Sequence, residues 1–266
     1  GYASFVISNG KIFTIEQRRD HEAVAAYNLE TGQELWVHSW RGEFRESMGG
    51  NGPRATPTWD QGRLYALGAT GQFWCLDAST GKILWKKDIL ADNGAENLTW
   101  GMSASPLIVG NKVIVLPGGS SGKSVVAYNK ITGEPIWKVL NDRQSYTSPM
   151  VVTLAGKRQL LVVSGQRAMG LTIKDGTLLW DYPWETQYDI NVAQPILLGE
   201  NHFFISAGYG HGAALVKVAR GADSFMVQEV WKNIQMKNKF TSSVLHEGYI
   251  YGLDESILVC IDAATG

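Results

Sequence analysis

One phrase returns six times along this chain: a short apolar strand, a small turn, then a tryptophan. It is fullest at Leu76-Asp77-Ala78-Ser79-Thr80-Gly81-Lys82-Ile83-Leu84-Trp85, and recurs at Ala26–Trp36 and Ala127–Trp137. Looser copies run over Thr172–Trp180 and Val216–Trp231, and a sixth, Ile261–Gly266, stops at the glycine. The five tryptophans, Trp36, Trp85, Trp137, Trp180 and Trp231, stand 49, 52, 43 and 51 residues apart. A period near fifty in strand-rich sequence is the mark of a propeller-like array, in which each repeat is one small sheet that buries its faces against its neighbours.

Each repeat divides into four strands by alternation, β-branched and aromatic enrichment, and glycine-marked turns. In the second copy these are Ala55–Trp59, Arg63–Leu67, Gln72–Asp77 and Lys82–Lys86. The Asp-x-x-Thr-Gly turn has a mechanism: Asp or Asn bonds its own downstream backbone, and glycine takes the positive φ that closes the hairpin. The expectation is an all-β propeller of four-stranded antiparallel blades, six visible, the last without its outer strand. Residues 1–266 form a single domain in this reading, incomplete at one or both ends. A ring of seven or eight blades would need roughly 340 to 390 residues.

Formal net charge is −1, from 24 basic and 25 acidic residues. That balance gives no electrostatic basis for nucleic acid or an anionic membrane as partner. No apolar run reaches the 18 or so residues of a transmembrane helix, and Gly1–Asn9 lacks the basic start and apolar core of a signal peptide. Cys75 and Cys260 occupy equivalent positions in copies two and six. Equivalent strands of non-adjacent blades lie too far apart for a disulfide, so both are expected to be buried thiols that do not report the redox compartment.

Strand polarity sorts the connections onto two faces. One carries short stereotyped turns, Asp60-Gln61-Gly62 and every Thr-Gly turn among them. The other carries long linkers (Val37–Arg54, Lys86–Ser103, Lys138–Thr147, Asp181–Val192, Lys232–Phe240) and the loops Glu16–Glu22, Pro117–Lys123 and Gly208–Gly212. Function sits on loops held by a rigid scaffold, so the second face is the candidate. Arg54, Trp100, Tyr146, Asp189, Asn191, Tyr209, His211 and Lys239 are its proposed ligand- or partner-binding residues. Arg and Lys suit anionic oxygens and Trp or Tyr suit stacking, so a protein partner or a small planar or carboxylate-bearing ligand fits. His211, flanked by glycines, has the chemistry of an acid or base. Asp189 and Asn191 supply two oxygens where Ca²⁺ takes six to eight. Gly118–Lys123 looks like a phosphate cradle, but no helix follows it. The five histidines show no metal-ligand spacing, and no catalytic residue is recognisable.

The phrase at Leu76–Trp85 resembles the repeat of the quinoprotein alcohol dehydrogenases and of their non-enzymatic relatives, the outer-membrane assembly lipoproteins of the BamB type. The resemblance spans essentially the whole chain. It implies that the five repeat tryptophans are structural, docking one blade on the next. For the enzymes it implies pyrroloquinoline quinone stacked on a tryptophan, Ca²⁺ beside a catalytic aspartate, and often a vicinal Cys-Cys pair. This chain has no Cys-Cys pair, and Trp100 and Asp189 match such roles by position alone. The first expectation is therefore a non-catalytic propeller that binds a ligand or partner through its loop-rich face in the bacterial envelope. A quinone- and calcium-dependent alcohol or sugar dehydrogenase is the alternative, and a hydrolase or lyase using a central funnel on that face a weaker one. Relatives of both kinds imply a periplasmic or other extracytoplasmic address.

Overall fold

The computed structural model describes residues 1–222 and 224–266. Two compact units emerge, Gly1–Gln144 and Ser145–Gly266. Among the described residues the fold is all-β, of the propeller class: five four-stranded antiparallel sheets and one three-stranded sheet, each built from strands consecutive in sequence. The regular exceptions are two 3-10 turns, Ala91–Asn93 and Gln187–Asp189.

The first unit holds three blades. Blade 1 is β1 (Val6–Ser8), β2 (Lys11–Arg18), β3 (His21–Asn28) and β4 (Glu34–Arg41). Blade 2 is β5 (Thr58–Asp60), β6 (Arg63–Leu67), β7 (Gln72–Asp77) and β8 (Ile83–Asp88). Blade 3 is β9 (Leu107–Val109), β10 (Lys112–Val115), β11 (Val125–Asn129) and β12 (Pro135–Val139). The third strand of each blade is covered on both faces, which is why it reads as an unbroken apolar run, Ala23–Ala26 in β3 and Val125–Tyr128 in β11. One apolar cluster joins blades 1 and 2 around Phe13, Val24, Leu64 and Trp74, and another joins blades 2 and 3 around Tyr65, Phe73, Val113 and Tyr128.

The second unit holds blade 4, with β13 (Met150–Leu154), β14 (Lys157–Val163), β15 (Arg167–Leu171) and β16 (Leu178–Pro183). Blade 5 is β17 (Ile196–Leu198), β18 (His202–Ala207), β19 (Gly212–Arg220) and β20 (Phe225–Asn233). Blade 6 has three strands, β21 (Val244–His246), β22 (Tyr249–Asp254) and β23 (Ile257–Asp262). Here too the cores are sandwiched between neighbours: Leu161, Trp180 and Phe203 between blades 4 and 5, Phe204, Met236 and Ile250 between blades 5 and 6.

Two expectations need correction. The stretch Glu16–Glu22 is not a loop: β2 runs to Arg18 and β3 starts at His21, leaving a turn of Arg19 and Asp20. Arg19 closes it in the left-handed region, φ 57°, a conformation uncommon for a non-glycine residue. Cys75 is buried and Cys260 exposed, both as free thiols. β7 lies between β6 and β8, whereas among the described residues β23 pairs with β22 alone.

Candidate partner-binding face

On the short-turn face the repeat's own atoms bind one another. Asp77 Oδ1 accepts the backbone N–H groups of Ser79 (3.0 Å) and Thr80 (2.9 Å), and the Gly81 N–H returns to the Asp77 carbonyl at 2.8 Å. Asn28, Asn129 and Asp262 repeat the arrangement. The preceding blade's tryptophan lands on the finished turn. Trp36 Nε1 donates to the Ala78 carbonyl (3.2 Å), Trp85 to Lys130 (3.1 Å) and Trp231 to Ala263 (3.2 Å). Each indole lies on the turn's glycine: a Cβ on Gly81 would come within 2.5 Å of Trp36, and one on Gly133 within 2.9 Å of Trp85. Trp180 differs. Blade 5 joins β19 and β20 by a long hairpin with no Thr-Gly turn, so Trp180 donates within its own blade to Gln159 Oε1 at 2.7 Å and stacks on Phe203 of blade 5 at 5.4 Å. Trp137 is half-buried, and its indole N–H has no hydrogen-bond acceptor among the described residues.

The loop-rich face of the first unit holds Arg54 and Trp100. Arg54 is buried, with its guanidinium donating to the carbonyls of Gly50 (2.8 Å) and Gly52 and lying over the Phe44 ring at 4.6 Å. It is committed to ordering the linker between blades 1 and 2. Trp100 and Arg54 both reach Gly49 of that linker. A cleft of ≈ 730 Å³ opens beside them, lined among others by Phe5, Glu16, Arg19, Glu43, Arg45 and Asn51. Its charge is mixed: Arg45 pairs with Glu43 at 2.5 Å, whereas the Arg19 guanidinium has no partner among the described residues.

In the second unit Asn191 is buried and structural. Its N–H bonds Ser145 Oγ (2.7 Å), its Nδ2 donates to the Ser164 carbonyl (2.8 Å), and its own carbonyl accepts from Tyr146 N–H and Thr147 Oγ1. Asp189 sits in the adjacent 3-10 turn with φ 58° and packs against Gly165. The two residues carry three side-chain oxygens between them. Among the described residues no group of three or more His, Cys, Asp or Glu side chains converges to hold a metal. The donors at Asp189 and Asn191 thus fall short of a calcium shell.

Tyr209 and His211 part company. Tyr209, left-handed at φ 57°, turns to Lys239, whose Nζ lies 4.5 Å from the Tyr209 ring centroid and 5.8 Å from that of Phe240. Glu255 is 3.7 Å from the same ammonium and also accepts the Gly210 N–H. Phe240 is 69 % exposed. His211 instead packs edge-on against Trp184 at 4.3 Å, under Lys232, which lies over that indole at 5.1 Å. Burial, with the Lys232 charge, pushes the His211 pKa down, which favours the neutral ring. The Gly118–Lys123 loop closes on itself through a Gly119–Lys123 bridge.

Some residues of this face have no signal in the repeat. Glu22, His38, Trp40 and Trp74 cluster at the seam of blades 1 and 2, with Trp40 and Trp74 rings 5.1 Å apart and His38 4.8 Å from Trp74. A usable signal existed: Trp40 follows Trp36 by the same four residues that separate Trp184 from Trp180.

Together, four-stranded blades and tryptophans seated on neighbouring Asx turns define a repeat propeller of the quinoprotein-like class. The sequence profile of the family described as "Outer membrane protein assembly factor BamB" matches residues 20–266, and the chain belongs to that family. It is 25% identical over 198 residues to the outer membrane protein assembly factor BamB of Shewanella oneidensis, covering 71% of this chain and 45% of that one. It is also 25% identical over 188 residues to the quinoprotein alcohol dehydrogenase PedH of Pseudomonas putida, covering 67% of this chain and 30% of that one. The chain thus spans less than half the length of these curated relatives. Among solved structures it superposes on BamB from Moraxella catarrhalis with a TM-score of 0.60 at 14% identity, over 93% of this chain and 67% of that one. That likeness shows the fold.

Proposed function

We propose that this chain is a non-catalytic propeller module that binds a protein partner through its loop-rich face in the bacterial envelope. The observation that carries the reading is the Tyr209–Lys239–Phe240 group: a lysine held between two rings, one of them largely exposed, on loops rather than in a blade core. Exposed aromatic and cationic side chains on rigidly mounted loops are what protein interfaces use as anchors. At the docked turn of the same unit a backbone carbonyl and a glycine already meet a tryptophan. Names among the relatives support outer-membrane assembly as the setting, and the same similarity supports an extracytoplasmic address. No helix among the described residues is long and apolar enough to cross a membrane.

The test is site-specific photocrosslinking in the source cells, with the reactive group at Phe240 or, as the control, at Thr80 on the short-turn face. A discrete envelope-protein adduct from position 240, lost in Lys239→Glu and absent from position 80, is expected. Equal or no adducts from the two positions would overturn the reading. So would stoichiometric binding of pyrroloquinoline quinone with Ca²⁺ and dye reduction by an alcohol, which would make the chain a dehydrogenase.

A further inference from the structure

Glu22 is the one acid of the blade 1–blade 2 seam that the repeat does not explain. Counting back six residues from the turn's Asx or Thr, the same position holds Gly71, Lys123, Gln166 and Ser256 in other blades. Its side chain is fully buried, paired across β2 with Gln17 and across β4 with Trp40. Oε1 accepts the backbone N–H of Ala69, in the β6–β7 turn of blade 2, at 2.9 Å. Oε2 has no hydrogen-bond partner that meets ordinary geometry. The indole N–H of Trp40 faces it, and a Cβ on Gly68 would fall 2.2 Å from it. Gly68 has no positive φ. Its lack of a side chain therefore serves space, and the space is filled by this carboxyl.

The turn that Glu22 grips is itself a hub. The Ala69 carbonyl accepts the Met102 N–H (2.9 Å) and Asn97 Nδ2 (3.0 Å), so it holds both ends of the segment that carries Trp100. Of the groups around Glu22, Gln17, Trp40 and the Gly68–Ala69 backbone are uncharged, and the pKa of His38, beyond Trp40, is pushed down by burial and by Lys86, which favours its neutral ring. Arg54, engaged with glycine carbonyls, is the cation whose field reaches it.

We propose that Glu22 is a proton-operated positioning residue: as the neutral acid it holds the β6–β7 turn, and through it the Trp100 segment, against blade 1, and its ionisation favours opening of that seam. A carboxylate without a contacting cation is costly to bury, so the closed seam prefers the proton and an opened, hydrated seam prefers the charge. Burial raises the carboxyl above the ordinary glutamate range, while the Ala69 and Trp40 donors and the Arg54 charge pull the other way. A group raised in the folded state contributes stability in full below its unfolded pKa of about 4.3, and that contribution fades as pH rises through the folded value.

Hydrogen exchange on the full chain reads this directly, and in the free protein, so its outcome is independent of whether the face binds a partner. After correction for intrinsic rates, the opening constant of segments 68–70 and 97–102 should rise with pH in the wild type, by at most about tenfold per unit for one proton. In Glu22→Gln it should be flat. Equal pH slopes in the two proteins would overturn the proposal. Should Glu22→Gln fail to fold, ¹³Cδ-glutamate NMR of the wild type decides. One carboxyl titrating above the rest, and missing from the glutamate spectrum of Glu22→Asp, supports it; all carboxyls titrating together overturns it.

Discussion

At the scale of single residues, surroundings rather than residue type set chemistry. Cys75 and Cys260 share a repeat position, yet burial pushes the Cys75 thiol up to about 11, against the opposing pull of Arg63, while Cys260 lies exposed on β23. Only thiolates react readily. Titration of the native protein with a thiol reagent should therefore modify Cys75 only on unfolding; a fast-reacting Cys75 would mean that β7 is not enclosed. The difference in burial was not legible in the sequence, because the flanks Trp74-Cys75-Leu76 and Val259-Cys260-Ile261 look alike. Glu22, expected on a loop at the channel rim, is instead a buried strand residue, and it escaped for a related reason. With no glycine in the Arg19–Asp20 turn, the charged residues around it read as a loop, and an acid inside a strand seam has no periodic signature.

At the scale of elements, the turn and its tryptophan act as one device. Trp85→Ala should cost about 3–5 kcal/mol, as for large buried aromatics, and denaturant unfolding would show it; a loss below about 1 kcal/mol would mean that the indole contributes little to the joint with blade 3. Asp77→Ala removes the acceptor of two backbone N–H groups and should cost about 1 kcal/mol, by analogy with capping side chains. These strands and turns were legible because alternation, Asx residues and glycines coincide at each repeat. Blade 5 was the harder case: its β19–β20 hairpin dispenses with the Thr-Gly turn, and only the folded chain reveals that Trp180 answers by turning to Gln159. Of the face residues, Tyr209 meets Lys239 and Tyr146 meets Asn191, but periodicity could not tell that Asn191 and Arg54 are consumed by loop-building hydrogen bonds.

At the scale of the whole molecule, two sets of carboxyls pull stability in opposite directions. Hydrogen bonds from Ser79 and Thr80 hold Asp77 below its usual range, the Thr265 and Ala264 backbones do the same for Asp262, and Thr172 and Thr177 bring Asp175 to about 2. Such groups contribute stability above their unfolded pKa and lose it as pH falls through the folded value, whereas Glu22 does the reverse. The difference in thermal unfolding temperature between wild type and Glu22→Gln should accordingly be greatest below about pH 4.3 and shrink as pH rises through the folded value; a difference that does not change with pH would assign the alkaline loss to other groups. The docked joints carry a broader implication. Each is written in a backbone carbonyl, a glycine and an indole, none of which differs between Ala78–Gly81, Lys130–Gly133 and Ala263–Gly266. A coupling with no individual signature cannot tell one neighbour from another. At these three joints blade order is therefore stored in covalent sequence rather than in the fitting, and a gene built this way can exchange one such turn for another without redesigning the indole that meets it.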